Sequence, residues 1–281
     1  MTAGPLIQLR DVRVRIAGQD VLAIDHLEID RGERIALIGA SGSGKTTLLR
    51  LIKGFVLPES GTVTVLGETL PIRHRGRRRA HHRRIGMVYQ HFDLIGREDV
   101  IGNVMHGRLG HTSLWRSILQ VFHPRDEAIC LNAIQEVQLE DKLEQAVRTL
   151  SGGEKQRVAI ARSLAQEPEV LLADEPVASL DPGLARSILD LLMDVCDAHN
   201  LTLLVSLHLP DLARKYARRM VALRDGRVLW DLPTGEVDDE RIEEVYRNGH
   251  LPSGPRRMGE ENDATDASPT LGSLGHPAAG G

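Results

Sequence analysis

Ile35-Ala36-Leu37-Ile38 is an unbroken apolar run, and Gly39-Ala40-Ser41-Gly42-Ser43-Gly44-Lys45-Thr46 follows it without a spacer. Four apolar residues with no alternation predict a strand covered on both faces, so the fold must place a layer on either side of it. Thr46 to Ile52 reads as a helix that Gly54 ends. Strand, glycine-rich turn and helix, in that order, are the setting in which G-x-x-x-x-G-K-[ST] holds phosphate. Glycines let successive backbone N–H groups curl around anionic oxygens, and the helix N-terminus adds favourable partial charge. The spacing places Lys45 on the β- and γ-phosphates of a nucleotide, the Thr46 hydroxyl on Mg2+ and Thr47 within reach of the α-phosphate.

The remaining pattern predicts a mixed α/β core. Ile7 to Ile16 and Val21 to Ile29 alternate apolar with polar, as half-buried antiparallel strands do. Thr62 to Leu66, Ile85 to Tyr89, Val170 to Ala173 and Leu201 to Val205 read as further strands, and Met220 to Arg224 with Val228 to Asp231 as a hairpin around Asp225-Gly226. Leu184, Ile188, Leu191, Leu192 and Val195 mark one face of a helix, and Pro210 suits the first turn of another. From Val100 to about Ala165 the pattern is helical. The expected organisation is one domain over residues 6–247, with a helical subdomain at about 95–166 and a disordered Gly-, Pro-, Ser- and Ala-rich tail over 252–281.

Asp174 and Glu175 end the Val170 strand, so they and the phosphate loop can converge at the carboxyl ends of one sheet, where open α/β sheets bind ligands. Asp174 suits the Mg2+ shell, and Glu175 suits a general base that deprotonates water, a role that contributes about 10²–10⁴-fold. An exposed acidic pair capping a strand is the plainer alternative. His208, beyond the Leu201 strand, is placed to meet the γ-phosphate; Gln90, at the end of the Ile85 strand, to meet Mg2+ or the lytic water. The catalytic set is thus Glu175, His208 and Gln90, and the metal set Thr46, Gln90 and Asp174.

Leu150-Ser151-Gly152-Gly153-Glu154-Lys155-Gln156 opens another helix in a chain that already has a complete phosphate loop. Two helix N-termini cannot serve the same phosphates from one side, so Ser151 and Gly153 are expected on the γ-phosphate of ATP held by a second copy. That arrangement is a two-fold homodimer with ATP at its interface, which Asp181 could also reach across. Simple helix capping by Ser151 is the alternative.

Net charge of −4 over 281 residues gives no global case for nucleic-acid binding. The basic run Arg73 to Arg84 lacks interleaved aromatics and reads as a solvated face, with contact to a partner or anionic lipid as the alternative. Cys130 and Cys196 have no His or Cys at ligand spacing and read as structural thiols. Met1 to Arg15 has no apolar signal-peptide core, and no run approaches the roughly 18 apolar residues of a membrane span, so any membrane role would need spans from a partner. No Asn-Lys-x-Asp guanine-reading motif occurs, which favours ATP over GTP.

Taken in order, the phosphate loop, Gln90, Leu150 to Gln156, Asp174-Glu175, Asp181 and His208 resemble the ATP-binding-cassette ATPases over Leu6 to Arg247. Ile85 to Arg97, Gly107-Arg108-Leu109-Gly110, Thr112 to Ser117, Leu172 to Asp181 and Asp211-Leu212-Ala213-Arg214 are similar to the ATPase subunit of phosphonate importers. The resemblance implies a P-loop NTPase fold with an N-terminal antiparallel β subdomain and an inserted helical subdomain. It also implies ATP and Mg2+, a homodimer of ATPase subunits, an integral membrane permease, a periplasmic or lipid-anchored substrate-binding protein and a peripheral site at the cytoplasmic face of the membrane. Phosphite or another phosphorus compound is an alternative cargo, and a soluble non-transport cassette an alternative function. The family's aromatic adenine-stacking position falls at Ile16, with Val14 as a possible substitute, and Leu209-Pro210 after His208 also departs from the family pattern.

Overall fold

The computed structural model describes residues 4–112 and 122–247. Ser113 to Ser117 and the 252–281 tail lie outside the described residues. Strands β1 (Ile7–Ile16), β2 (Gln19–Ile29), β4 (Ser60–Val65) and β5 (Glu68–Thr69) form an antiparallel sheet in the order β2-β1-β4-β5. In β1 the buried residues are Ile7, Leu9, Val12 and Val14, so the alternation slips by one at Asp11, whose backbone is left-handed at φ 52°. Val14 therefore points into the core at 1% exposure and is no substitute for a stacking residue. Ile16, at the end of the same strand, is 46% exposed.

A second sheet contains β3 (Arg34–Ile38), β6 (Ile85–Val88), β7 (Val170–Asp174), β8 (Thr202–Ser206), β9 (Arg219–Arg224) and β10 (Arg227–Pro233). Its order is β10-β9-β3-β8-β7-β6, parallel throughout except for β10, which closes a hairpin on β9. The absence of alternation in β3 has a direct cause. Ile35 and Leu37 join a core shared with the antiparallel sheet and the Lys45–Lys53 helix, while Ala36 and Ile38 join the core under the remaining helices. Leu171 and Ala173 divide from Val170 and Leu172 in the same way.

Between β6 and β7 lie helices Val100–Met105, Pro124–Glu136 and Gly152–Leu164, which pack on one another. Arg108 ties this insertion together from inside. At 4% exposure, its Nε donates to Asp126 Oδ1 at 2.8 Å, and its Nη1 donates to the Ala165 carbonyl at 2.8 Å and to Glu167 Oε2 at 2.7 Å. The basic run is a helix, Arg75–Arg83, that buries only His81. Arg79 donates to the carbonyls of Leu109 and Gly110, fastening that helix to the insertion. Burial pushes the His81 imidazole down to about 4 and both cysteine thiols up to about 12, so the thiols are inert. No helix among the described residues is long and apolar enough to cross a membrane.

Candidate active site

The Gly39–Thr46 loop leaves the carboxyl end of β3 and rests against two hairpins. Gly39 has φ +152°, and a Cβ there would sit 2.3 Å from the Leu223 carbonyl oxygen. The β9–β10 turn, read from sequence only as a hairpin, is the floor of the loop. Gly226 N–H donates to the Ser43 carbonyl at 3.1 Å, and the Gly226 carbonyl accepts from Ala23 N–H at 2.7 Å. Gly44 lies against Val21 and Leu22 of β2, close to the turn where Ile16 pairs with Gln19. The exposed Ile16 stands at the turn of that same hairpin.

Within the loop, Lys45 is buried and donates to the carbonyls of Gly39 at 2.8 Å and Ala40 at 3.1 Å. Burial lowers its pKa, opposed by the Glu175 and Asp174 carboxylates. The Ser43 hydroxyl is buried and has no hydrogen-bond partner among the described residues. A buried cation beside an unmatched hydroxyl, in a loop lined by backbone N–H groups, suits a phosphate anion.

Strand β8 lies between β3 and β7, so the sheet brings three sequence-distant elements to one edge. The Thr46 hydroxyl donates to Asp174 Oδ1 at 3.0 Å, joining the phosphate loop to β7. A hydroxyl and a carboxylate oxygen in contact are hard donors of the kind Mg2+ takes. Glu175 has left its strand in a left-handed backbone, φ 49°, and its Oε1 lies 2.5 Å from His208 Nε2. Tyr246 Oη donates to the His208 carbonyl at 3.3 Å, so the Asp239–Tyr246 helix braces the His208 turn. Phosphate loop, Asp174, Glu175 and His208 are thus one constellation. Gln90 lies two residues beyond β6, the neighbour of β7, and Val88 pairs with Ala173, so it stands one strand over from Asp174.

Ser151 and Asp181 are exposed, and each caps a helix of its own chain. Ser151 Oγ accepts from Glu154 N–H at 3.3 Å, and Asp181 Oδ1 accepts from the N–H groups of Gly183 and Leu184. The Lys142 ammonium and the Ser151 N–H hold the Glu154 carboxylate down to about 2. A Cβ on Gly153 would fall 2.6 Å from Leu184 Cδ1, so the two helix starts pack as neighbours.

Two residues here escaped the sequence reading. Ser206 lies one position past the expected end of the Leu201 strand; its Oγ donates to Asp174 Oδ1 at 3.0 Å and accepts from Glu175 N–H at 2.8 Å. Arg162, on the Gly152–Leu164 helix, donates to the carbonyls of Phe92 at 2.9 Å and Asp93 at 2.5 Å. Phe92 and Asp93, just past Gln90, both have left-handed backbones. Nothing in local spacing points to Arg162; a hydroxyl ending an otherwise apolar strand two residues before His208 was the available sign for Ser206.

A family described as ABC transporter matches residues 22–178. The chain is 39% identical over 221 residues to the phosphonates import ATP-binding protein of Staphylococcus aureus strain USA300, covering 79% of this chain and 86% of that one. It is 39% identical over 242 residues to the protein of the same name in Staphylococcus epidermidis, covering 85% and 94%. Among solved structures, a Clostridium perfringens subunit of an ABC transporter complex aligns with TM-score 0.74 at 26% identity, covering 86% of this chain and 94% of that one. A dimeric ATP-binding cassette in a post-hydrolysis state, bound to ADP and Pi, aligns with TM-score 0.68 at 28% identity, covering 81% and 98%. This chain belongs to the ABC transporter family, among the ATP-binding proteins of phosphonate import.

Proposed function

We propose that this chain is the ATP-hydrolysing subunit of a phosphonate importer, working as a homodimer beneath an integral membrane permease that receives cargo from a periplasmic or lipid-anchored binding protein. The observation that carries the chemistry is the contact of Thr46 with Asp174 beside the paired Glu175 and His208. Likeness to phosphonate import proteins along nearly their whole length supports the cargo.

The substrate ATP binds with its phosphates in the Gly39–Thr47 loop, where Lys45 neutralises charge on the β- and γ-phosphates. Thr46 and Asp174, with Gln90, would hold Mg2+, which would supply charge stabilisation for phosphoryl transfer. Glu175 orients the attacking water and accepts its proton. His208 holds that carboxylate in this structure and is positioned to donate to the γ-phosphate. Ser151 and Gly153 complete the ATP site of the second copy, and Asp181 reaches across the same interface; the helix-capping bonds of Ser151 and Asp181 fix both turns for that role. The Arg162 contacts behind Gln90 tie the nucleotide edge to the helical insertion, so closing the dimer moves the insertion against the permease at the cytoplasmic face of the membrane. The acidic net charge gives no global case for nucleic acid among the partners.

Deleting the gene in a host without another such importer should abolish growth on a phosphonate as sole phosphorus source and leave growth on inorganic phosphate intact. Unchanged growth on the phosphonate would reject this cargo, and loss confined to phosphite would replace it. The domain itself is proposed to span residues 6–247, with the helical subdomain at about 95–166.

Ile16 has a separate consequence. An exposed aliphatic side chain offers a base less than an aromatic one, and base–aromatic stacking contributes about 1–3 kcal/mol. Ile16→Tyr is expected to tighten ATP binding at least about fivefold. Calorimetric titration of the two proteins with ATP checks this, and equal affinities would remove Ile16 from the base-binding edge.

A further inference from the structure

We infer that Ser206 is a positioning residue for hydrolysis, one hydroxyl that sets the metal-side carboxylate and the general base together. The inference rests on the reading of Glu175 as base. Ser206 is fully buried at the end of β8, and the parallel register places it opposite Asp174. A hydroxyl has one proton and two lone pairs. Here the proton goes to Asp174 Oδ1, and a lone pair takes the N–H of Glu175. The same Asp174 oxygen takes the Thr46 hydroxyl, so a continuous chain of hydrogen bonds runs from the phosphate loop to the backbone of the base.

The bond to Glu175 matters because of where the backbone turns. Left-handed backbone in a residue with a Cβ is unfavourable and persists only where surrounding structure over-determines it. At φ 49°, Glu175 swings out of the line of β7 and its carboxylate meets His208. The Ser206 hydroxyl is the side-chain group that satisfies the Glu175 N–H in that conformation. Without it the N–H loses its partner, Glu175 is freed toward an extended backbone, and Asp174 loses one of its two hydroxyl donors. Reaction geometry is sensitive to shifts of this kind, since a misplacement of about 1 Å can lower a rate about 10²-fold. Ser206 makes no bond to Lys45 and reaches the loop only through the Asp174 oxygen it shares with Thr46, so ATP affinity is expected to change less than turnover.

The test is Ser206→Ala in the full-length chain, alone and in a Glu175→Gln background, with kcat, KM for ATP and melting temperature measured for each. The expected result is a fall in kcat of about 10–100-fold with KM within threefold and the melting transition retained. In the Glu175→Gln background, adding Ser206→Ala should lower kcat by a smaller factor than it does in the parent, because the share of its effect that passes through the base is already lost. A Ser206→Ala protein with kcat within threefold of the parent overturns the inference. So does a loss in which KM rises as much as kcat falls, or one that multiplies in full with Glu175→Gln, since either would place Ser206 outside the positioning of the base. Near-normal turnover of Glu175→Gln alone would instead reject the reading of Glu175 while leaving the Ser206 measurement to stand by itself.

Discussion

Glu175→Gln should bind ATP and dimerise with it, yet turn over about 10²–10⁴ times more slowly than the parent. The amide keeps the size and much of the hydrogen-bonding capacity of the carboxylate but cannot accept a proton from water. Lys45, Ser43 and Thr46 are untouched, so the phosphate loop keeps its affinity. Removing a negative charge beside buried Lys45 should, if anything, favour the bound polyphosphate, because Glu175 already contributes to the field around that ammonium. Steady-state phosphate release measures the first expectation, and light scattering with and without ATP measures the second. Turnover within threefold of the parent would reject Glu175 as the base. Loss of ATP binding together with turnover would show that its role lies in holding the nucleotide.

Arg108→Ala should destabilise the protein by about 3–5 kcal/mol, with the loss centred on the helical insertion. Its guanidinium is almost wholly buried and joins three separate parts of the insertion: the start of the Pro124–Glu136 helix through Asp126, the end of the Gly152–Leu164 helix through the Ala165 carbonyl, and Glu167. Cutting it away leaves the Asp126 carboxylate desolvated without a counter-charge and opens a cavity of side-chain size. Arg108→Met paired with Asp126→Leu should recover much of the loss, since a buried ion pair is replaced by apolar groups at little net cost. Denaturant midpoints of the three proteins decide the matter. A midpoint for Arg108→Ala equal to the parent would mean that the pair contributes nothing net to the fold.

Arg108 also shows where sequence reading stops. The segment Gly107 to Gly110 was legible as a family resemblance, but its physical content, a buried clamp on Asp126 and Glu167, joins positions 18 and 59 residues away. Motifs whose chemistry is local were legible at once. The phosphate loop needs only consecutive glycines, a preceding buried strand and a following helix, all adjacent in the chain. Asp174-Glu175 and His208 were legible because strand ends in a parallel sheet share one edge, whatever the strand order. Val14 is no alternative stacking residue because it faces the core, and only Ile16, past the register shift between Val14 and Arg15 at the strand end, is exposed. The basic run was readable as charge but not as a helix, since its periodicity carries one buried residue, His81.

By itself, then, the sequence determined the fold class, the nucleotide loop and the acidic strand end, because each is written in contiguous residues whose pattern period or backbone freedom has one structural outcome. Only the tertiary structure decided that β8 lies between β3 and β7, and hence that Ser206 stands opposite Asp174. It alone decided that the Asp225-Gly226 turn underlies Ser43 and that Arg162 holds the turn after Gln90. The physical reason is common to all three. Hydrogen bonds between distant segments depend on strand order and register, which are set by how the whole core packs and leave no periodic trace in any one stretch of chain.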